Sequence, residues 1–167
     1  MYDELTKVDI KKMEEEITYR KTKLAPELGA ELKRTREFGD LSENAEYKEA
    51  KRAKRKNESR IRYLENMIRT ANVIDIEKAD DEVGLFDKVL IRNEKLNQEK
   101  EIQLVTTLRQ NALLGFVSKE SPLGRALLGR KVGDRVSVKV SDTVSYDVTV
   151  LRITKGEDNE DLPISGF

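Results

Sequence analysis

Between residues 47 and 71, Tyr47, Ala50, Lys54, Asn57, Ile61, Leu64, Ile68 and Ala71 follow one another by alternating steps of three and four. That 3.5-residue period marks a coiled-coil seam, because it keeps one face of a slightly underwound helix against a partner. The helical run extends over about residues 43–73. A partner lies upstream: across residues 6–38, Ile10, Met13, Ile17, Leu24, Leu28 and Leu32 are spaced by three, four or seven in an otherwise highly charged stretch. Only a few residues around Gly39 and Ser42 separate the two runs, so the helices must fold back antiparallel. About 30 residues per helix at ~1.5 Å each predicts a finger about 45 Å long. Lys54 and Asn57 make the seam polar nearer the turn, and packing should weaken toward it. Pro26 removes an N–H and crowds the preceding turn, which predicts a kink or local loosening without ending the helix.

After Asp75 the period changes to two. Residues 83–91, 101–107, 135–140 and 145–153 are rich in Val, Ile and Thr and read as strands. Residues 122–129 read as a short helix with Ser121 as N-cap and Pro122 at its first position. Turns are expected at 133–134 and 141–142, and residues 156–167 read as a loose tail. The fold class is therefore α+β: an antiparallel two-helix coiled-coil hairpin over residues 1–75, then a small β-rich domain with one short helix over residues 76–167.

Composition narrows the chemistry. Charged residues are 38% and aromatics 5%, so much of the chain must be solvated, which favours an elongated protein. Formal net charge is zero, so any nucleic-acid contact must be local. With no Cys and no His, thiol nucleophiles, disulfides and the usual zinc sites are excluded. Residues 1–10 are polar, and no apolar run approaches a signal-peptide core or a membrane span, which leads to an expectation of cytoplasmic residence.

Three segments could carry chemistry. Asp40 and Glu43 fall at the end of the finger. Asp40 can cap the second helix with Glu43 reaching back in a capping box, and Ser42 offers a competing cap. Alternatively the two carboxylates hold Mg²⁺ or orient water, and two ligands suffice only beside another protein that already holds metal and a phosphodiester. The second segment, 48–62, carries eight basic residues, among them Arg52, Arg55 and Lys56, against Glu49 and Glu58. It is either a solvated face balanced by Glu27 and Glu31 or a strip steering an RNA backbone toward the tip. The third, Ser121, Pro122 and Leu123, is either a helix start or a docking corner.

Gly39-Asp40-Leu41-Ser42-Glu43-Asn44-Ala45-Glu46-Tyr47, then Arg60-Ile61-Arg62-Tyr63-Leu64-Glu65, then 71–75 and Ser121-Pro122-Leu123-Gly124-Arg125 together resemble the bacterial GreA/GreB family of transcript-cleavage factors, in order and separation. Pro26 matches a proline usual in the first helix. The resemblance implies an FKBP-like C-terminal domain that grips the rim of the RNA polymerase secondary channel while the finger reaches the active centre. There Asp40 and Glu43 would help hold a Mg²⁺ shared with polymerase, and Asn44 would either support the tip or simply stabilise the start of the second helix. Arg52, Arg55 and Lys56 would face the nascent RNA 3′ end, and Ser121, Pro122 and Leu123 match the docking loop. It implies a monomeric accessory factor, not an enzyme and not a membrane protein, that stimulates cleavage of backtracked RNA. Alternatives are a paralogue that occupies the channel and inhibits, a scaffold coil, and a prolyl isomerase with a coiled-coil extension, which low aromatic content argues against. The chain departs from the family pattern at Phe38, where His is common, at Phe86, where glycine is frequent, and at Arg109-Gln110-Asn111, which replaces Glu-Ala-Asp.

Overall fold

The computed structural model describes residues 3–37, 39, 44–77 and 79–166. They divide into a hairpin unit, Ile10–Ala71, and a β-rich unit made of Asp3–Asp9 with Asn72–Gly166. A boundary at residue 75 thus leaves out one feature. Asp3–Asp9 joins the β-rich unit because strand β1 (Glu4–Leu5) pairs in parallel with β2 (Asn72–Val73).

In the hairpin unit, helix α1 (Lys7–Tyr19) passes through a π turn, Arg20–Leu24, into α2 (Ala25–Arg36), and α3 (Ala45–Thr70) returns alongside. Cross-helix contacts pair ascending with descending positions: Arg60 with Glu16, Asn57 with Arg20, Glu46 with Arg34 and Asn44 with Thr35. The helices are therefore antiparallel and in register.

The loosening expected at Pro26 takes the form of that π turn, in which the Ala25 N–H reaches the Arg20 carbonyl five residues back. Proline explains part of it, since no N–H at 26 can serve the carbonyl four residues before. The seam explains the rest. Ile10, Met13, Ile17, Arg20 and Leu24 alternate by three and four, but the step from Leu24 to Leu28 is four where alternation asks for three. One surplus residue must be absorbed if Leu28, Leu32 and Thr35 are to face α3, and a π turn absorbs one. Leu32 and Thr35 are indeed buried.

On α3 the buried residues are Ala50, Asn57, Arg60 and Leu64. Lys54, read as a seam residue, is instead exposed beside Glu58 at 3.8 Å. Arg60, read as part of the basic strip, turns inward with its side chain 4% exposed. The reason is a partner: Arg60 donates through Nε (2.9 Å) and Nη2 (3.2 Å) to both oxygens of Glu16. Arg20 donates to Glu16 at 2.8 Å and to Asn57 Oδ1 at 3.0 Å. Asn57 Nδ2 in turn reaches the Arg20 carbonyl at the π turn. Burial pulls the Glu16 carboxyl upward, but hydrogen bonds from Arg60 and Arg20 outweigh it and hold the group below its ordinary value.

The β-rich unit is a five-stranded mixed sheet built from β3 (Lys88–Asn93), β4 (Gln98–Val105), β5 (Phe116–Ser118), β6 (Arg135–Lys139) and β7 (Ser145–Thr154). Its spatial order is β5-β4-β3-β7-β6, with only β4 and β5 parallel. Alternation sets the core: Val89, Ile91, Ile102, Leu104, Val136, Val138, Val148 and Val150 point to one face, where helix α4 (Pro122–Leu127) adds Leu127. The expected strand at 83 begins only at Lys88, because Phe86 has φ +69° and the buried Asp87 carboxylate accepts from the Gly84 N–H at 2.7 Å, folding the chain into a turn.

The reading of 156–167 as a loose tail is corrected over its described residues. The Gly156 N–H donates to Asp87, Ser165 bonds the carbonyls of Leu108 and Gln110, and Leu162 packs beside Leu85, Phe86 and Val105. These anchors lie far away in sequence, so local composition does not reveal them.

Two measurements test this account of the hairpin. Deleting Thr22 together with Pro26→Ala should give an unbroken α-helix and raise the Tm by at least about 2 °C, given roughly 2–4 °C per kcal/mol at this chain length; a lower Tm refutes the surplus-residue explanation. A carboxylate held below its unfolded pKa stabilises above that pKa and loses its contribution as pH falls through the folded value. Glu16→Gln should therefore cost on the order of 2 kcal/mol in denaturant melts at pH 7 and much less at pH 3, whereas an equal loss at both pH values would contradict the charge pairing.

Candidate functional site

The chain reverses between α2 and α3, and this is where Asp40 and Glu43 fall in sequence. Both lie outside the described residues, as do Phe38 and Ser42. Gly39 and Asn44, on either side, are described. Gly39 has φ +95°, a left-handed conformation that glycine adopts without a Cβ penalty, and it follows directly on the exit from α2.

Asn44 is seen in the second of the two roles open to it, tip support or helix start. Its Oδ1 accepts the Tyr47 N–H at 3.0 Å, making it the N-cap of α3, while its Nδ2 donates to the Thr35 carbonyl at 2.9 Å. One side chain thus starts the second helix and ties it to the end of the first. The N-cap role considered for Asp40 and Ser42 belongs to Asn44. Asp, Ser and Asn are nearly equal as caps, so local spacing could not choose among them.

Behind Asn44, Arg34 bonds Glu31 through Nε (3.0 Å) and Nη2 (2.6 Å) and reaches Glu46 on α3 at 3.3 Å. The hydrogen bond from Arg34 holds the Glu31 carboxyl below its ordinary value, and Glu31 raises Arg34 in turn. Glu31 is therefore engaged by Arg34 on its own helix.

The basic strip of α3 is narrower than the sequence suggested, since Arg60 is internal. Arg52, Arg55 and Lys56 are all exposed on α3. Arg52 lies 3.4 Å from Glu49, and Lys51 stacks over the Tyr47 ring at 5.4 Å.

At the Ser121 corner the expected cap forms, and the helix ends at Leu127, short of residue 129. Ser121 Oγ accepts the Gly124 N–H at 3.0 Å and donates to the Ser118 carbonyl at 2.7 Å, capping α4. Pro122 is exposed, whereas Leu123 is half-buried against the sheet core. Of the three docking candidates, Ser121 commits its hydroxyl internally, Leu123 part of its side chain, and Pro122 faces solvent. Gly124 is buried against β5, and a Cβ there would meet the Ser118 carbonyl oxygen at 2.0 Å.

Among the described residues, no group of three or more His, Cys, Asp and Glu side chains could hold a metal. No helix among them is long and apolar enough to cross a membrane. The pair Asp40 and Glu43 supplies oxygen donors only, which suits a hard cation, and two carboxylates leave most of its coordination to other groups.

Comparison with known proteins covers nearly the whole chain. Residues 4–73 match the family described as "Transcription elongation factor, N-terminal", and residues 72–155 match "Transcription elongation factor, GreA/GreB, C-term". The chain is 41% identical over 150 residues to transcription elongation factor GreA of Clostridium acetobutylicum, covering 89% of this chain and 95% of that one. It is 44% identical over 137 residues to GreA of Thermoanaerobacter pseudethanolicus, covering 81% and 87%. A crystal structure of GreA factor homolog 1 of Thermus thermophilus aligns with TM-score 0.42 and 25% identity over 93% of this chain and 100% of that one.

The geometry of the Ser121 corner makes a paired prediction. Gly124→Ala forces the helix off the Ser118 carbonyl and should destabilise the protein by about 1–3 kcal/mol, while Pro122→Ala, at an exposed position, should change stability by no more than about 0.5 kcal/mol. Chemical denaturation of both variants checks this, and a neutral Gly124→Ala rules out the close approach.

Proposed function

Because the chain belongs to the GreA/GreB family of transcription elongation factors, we propose that it binds bacterial RNA polymerase through the secondary channel and stimulates the polymerase's own cleavage of backtracked RNA. The chain itself is an accessory factor and the polymerase is the hydrolase. It works in the cytoplasm, as a monomer.

The observation that carries this reading is the N-cap of α3. Asn44 fills the N-cap position that local chemistry also offered Asp40 and Ser42, so neither of those is needed to cap the helix. Two carboxylates left without that role, where a helical hairpin reverses, suit insertion into a neighbour's catalytic centre. Asp40 and Glu43 would there hold a Mg²⁺ shared with polymerase, which when bound supplies polarisation of the phosphodiester and activation of the attacking water.

The remaining tasks fall to residues whose placement is described. Asn44 and Thr35 fix the spacing of the two helix ends that carry the acidic turn. Arg52, Arg55 and Lys56 present positive charge along α3, which attracts an RNA phosphate backbone electrostatically. Pro122 and the exposed edge of Leu123, held by the Ser121 cap, form the docking corner. Two features deepen the support: Asp40 and Glu43 lie within the stretch matched to the N-terminal family model, and α3 alone, with 26 residues, spans about 39 Å at ~1.5 Å per residue.

Asp40→Asn removes one charge with little change of shape. In stalled elongation complexes it should abolish shortening of the RNA while leaving polymerase binding intact, and the wild-type effect should require Mg²⁺. Undiminished cleavage by the variant would remove the acidic pair from the mechanism. Slowed elongation without shortening by the wild type would establish an inhibitor instead.

A further inference from the structure

Residues 156–165 lie beyond the family match, which ends at 155, and form no helix or strand. Their contacts nonetheless converge on the opposite end of the chain. Asp158, with its side chain 7% exposed, accepts from Thr6 Oγ1 at 2.5 Å and from Arg109 Nη1 at 2.5 Å. Arg109 also donates to the Asn159 carbonyl at 3.3 Å.

Thr6 and Asp9 are the capping box of α1. The Asp9 N–H donates to Thr6 Oγ1 at 3.2 Å, and the Thr6 N–H donates to Asp9 Oδ2 at 3.0 Å, both within the buried interior. The second Asp9 oxygen lies 2.7 Å from Arg109 Nε, an ion pair whose N–H is not aligned on the oxygen. The guanidinium of Arg109, 1% exposed, thus sits between a carboxylate near the N-terminus and another near the C-terminus.

We propose that residues 156–165 are a detachable strap: they hold Asp3–Asp9 folded through Asp158, and their release frees that segment while the five-stranded sheet stays intact. Apart from Asp158, the N-terminal segment is held by the buried Leu5 side chain, the Glu4–Lys119 ion pair and the Thr107 hydroxyl donating to Asp3, and the buried pair Thr6 and Asp9 depends on Arg109 and Asp158. Strand β1 contributes two residues to a two-stranded ladder, too few to be stable alone. Removing Asp158 leaves a buried guanidinium with one carboxylate fewer and the Thr6 hydroxyl without its acceptor, both unfavourable in a dry interior.

The strap itself opens at lower cost than the sheet. It makes no ladder, and its anchors include the Gly156 bond to Asp87, the Asp158 cluster, Leu162 and the two bonds from Ser165 at 2.6 and 2.7 Å. Segments with few buried contacts and isolated hydrogen bonds open sub-globally. The order of the first helical turn is therefore conditional on the chain's last residues.

Amide hydrogen exchange on the full chain tests this directly. In Asp158→Ala, the amides of Thr6, Asp9, Asn72 and Ile74 should exchange at least tenfold faster, while those of β3 and β7 keep wild-type protection. Asp158→Asn, which retains an acceptor, should give a smaller acceleration at the same four amides, and Asp161→Ala, at an exposed position, none. Unchanged exchange at those amides in Asp158→Ala overturns the proposal. So does loss of protection in β3 and β7 to the same degree, in either Asp158 variant, because the segment is then part of the global core and not a separable strap.

Discussion

A helix in a two-helix hairpin has one neighbour, and every buried contact it makes must fall on one narrow stripe. That constraint accounts for most of what the hairpin unit does. Its apolar seam is thin, with Met13, Leu32, Ala50 and Leu64 as the buried hydrophobic residues among those described. A polar layer crosses it, in which Glu16 is satisfied by two arginines and Asn57 bridges to Arg20. A buried charge without partners is expensive, so slipping either helix would strand Glu16 or Arg60 away from its mate. The layer thus fixes register where an all-apolar stripe would tolerate sliding.

The same constraint explains why the first helix bends its rules and the second does not. Glu16 and Arg20 on one side of the π turn, and Leu28, Leu32 and Thr35 on the other, must all meet α3. With one residue too many between them, a continuous α-helix would turn one group away by about 100°. The π turn restores the phase, and Asn57 binds the carbonyl of Arg20 at the point where the ladder changes from four to five. Correct phase at Thr35 then lets its carbonyl meet Asn44, so the geometry at the hairpin's end is inherited from the seam.

Features encoded by local periodicity were legible in the sequence; features encoded by distant partners were not. The heptad stripe, the sheet's alternation and the Ser121 cap depend on residues within a few positions of each other, and each forms, with Lys54 outside the stripe and the first sheet strand starting at Lys88 as the exceptions. Arg60 reads as surface because nothing nearby announces Glu16, 44 residues away. The tail reads as loose because Asp158 meets Thr6 across 152 residues. Strand β5 escaped notice because three residues cannot display a period. At the candidate site, the family pattern singled out the acidic pair, but the choice of cap among Asp40, Ser42 and Asn44 needed the backbone, since all three side chains offer similar oxygens.

The departures from the family pattern gain a physical reading from this distinction. Arg109 in place of an acidic residue suggests, on paper, a reversed charge on the surface of the β-rich unit. The side chain is interior, however, between Asp9 and Asp158, and Gln110 and Asn111, which are exposed, carry no charge. The change therefore adds no positive patch to that surface. Phe86 belongs to the same adjustment: its ring lies 5.1 Å from the Arg109 guanidinium, a cation–π contact in a desolvated place. Its left-handed φ of +69° is strained for a bulky residue by about 1–2 kcal/mol, and contact with a buried cation offsets strain of that size. A phenylalanine and an arginine that each look anomalous in the linear pattern are thus neighbours in one cluster. The exchange of charge is absorbed inside the fold, where it links the ends of the chain.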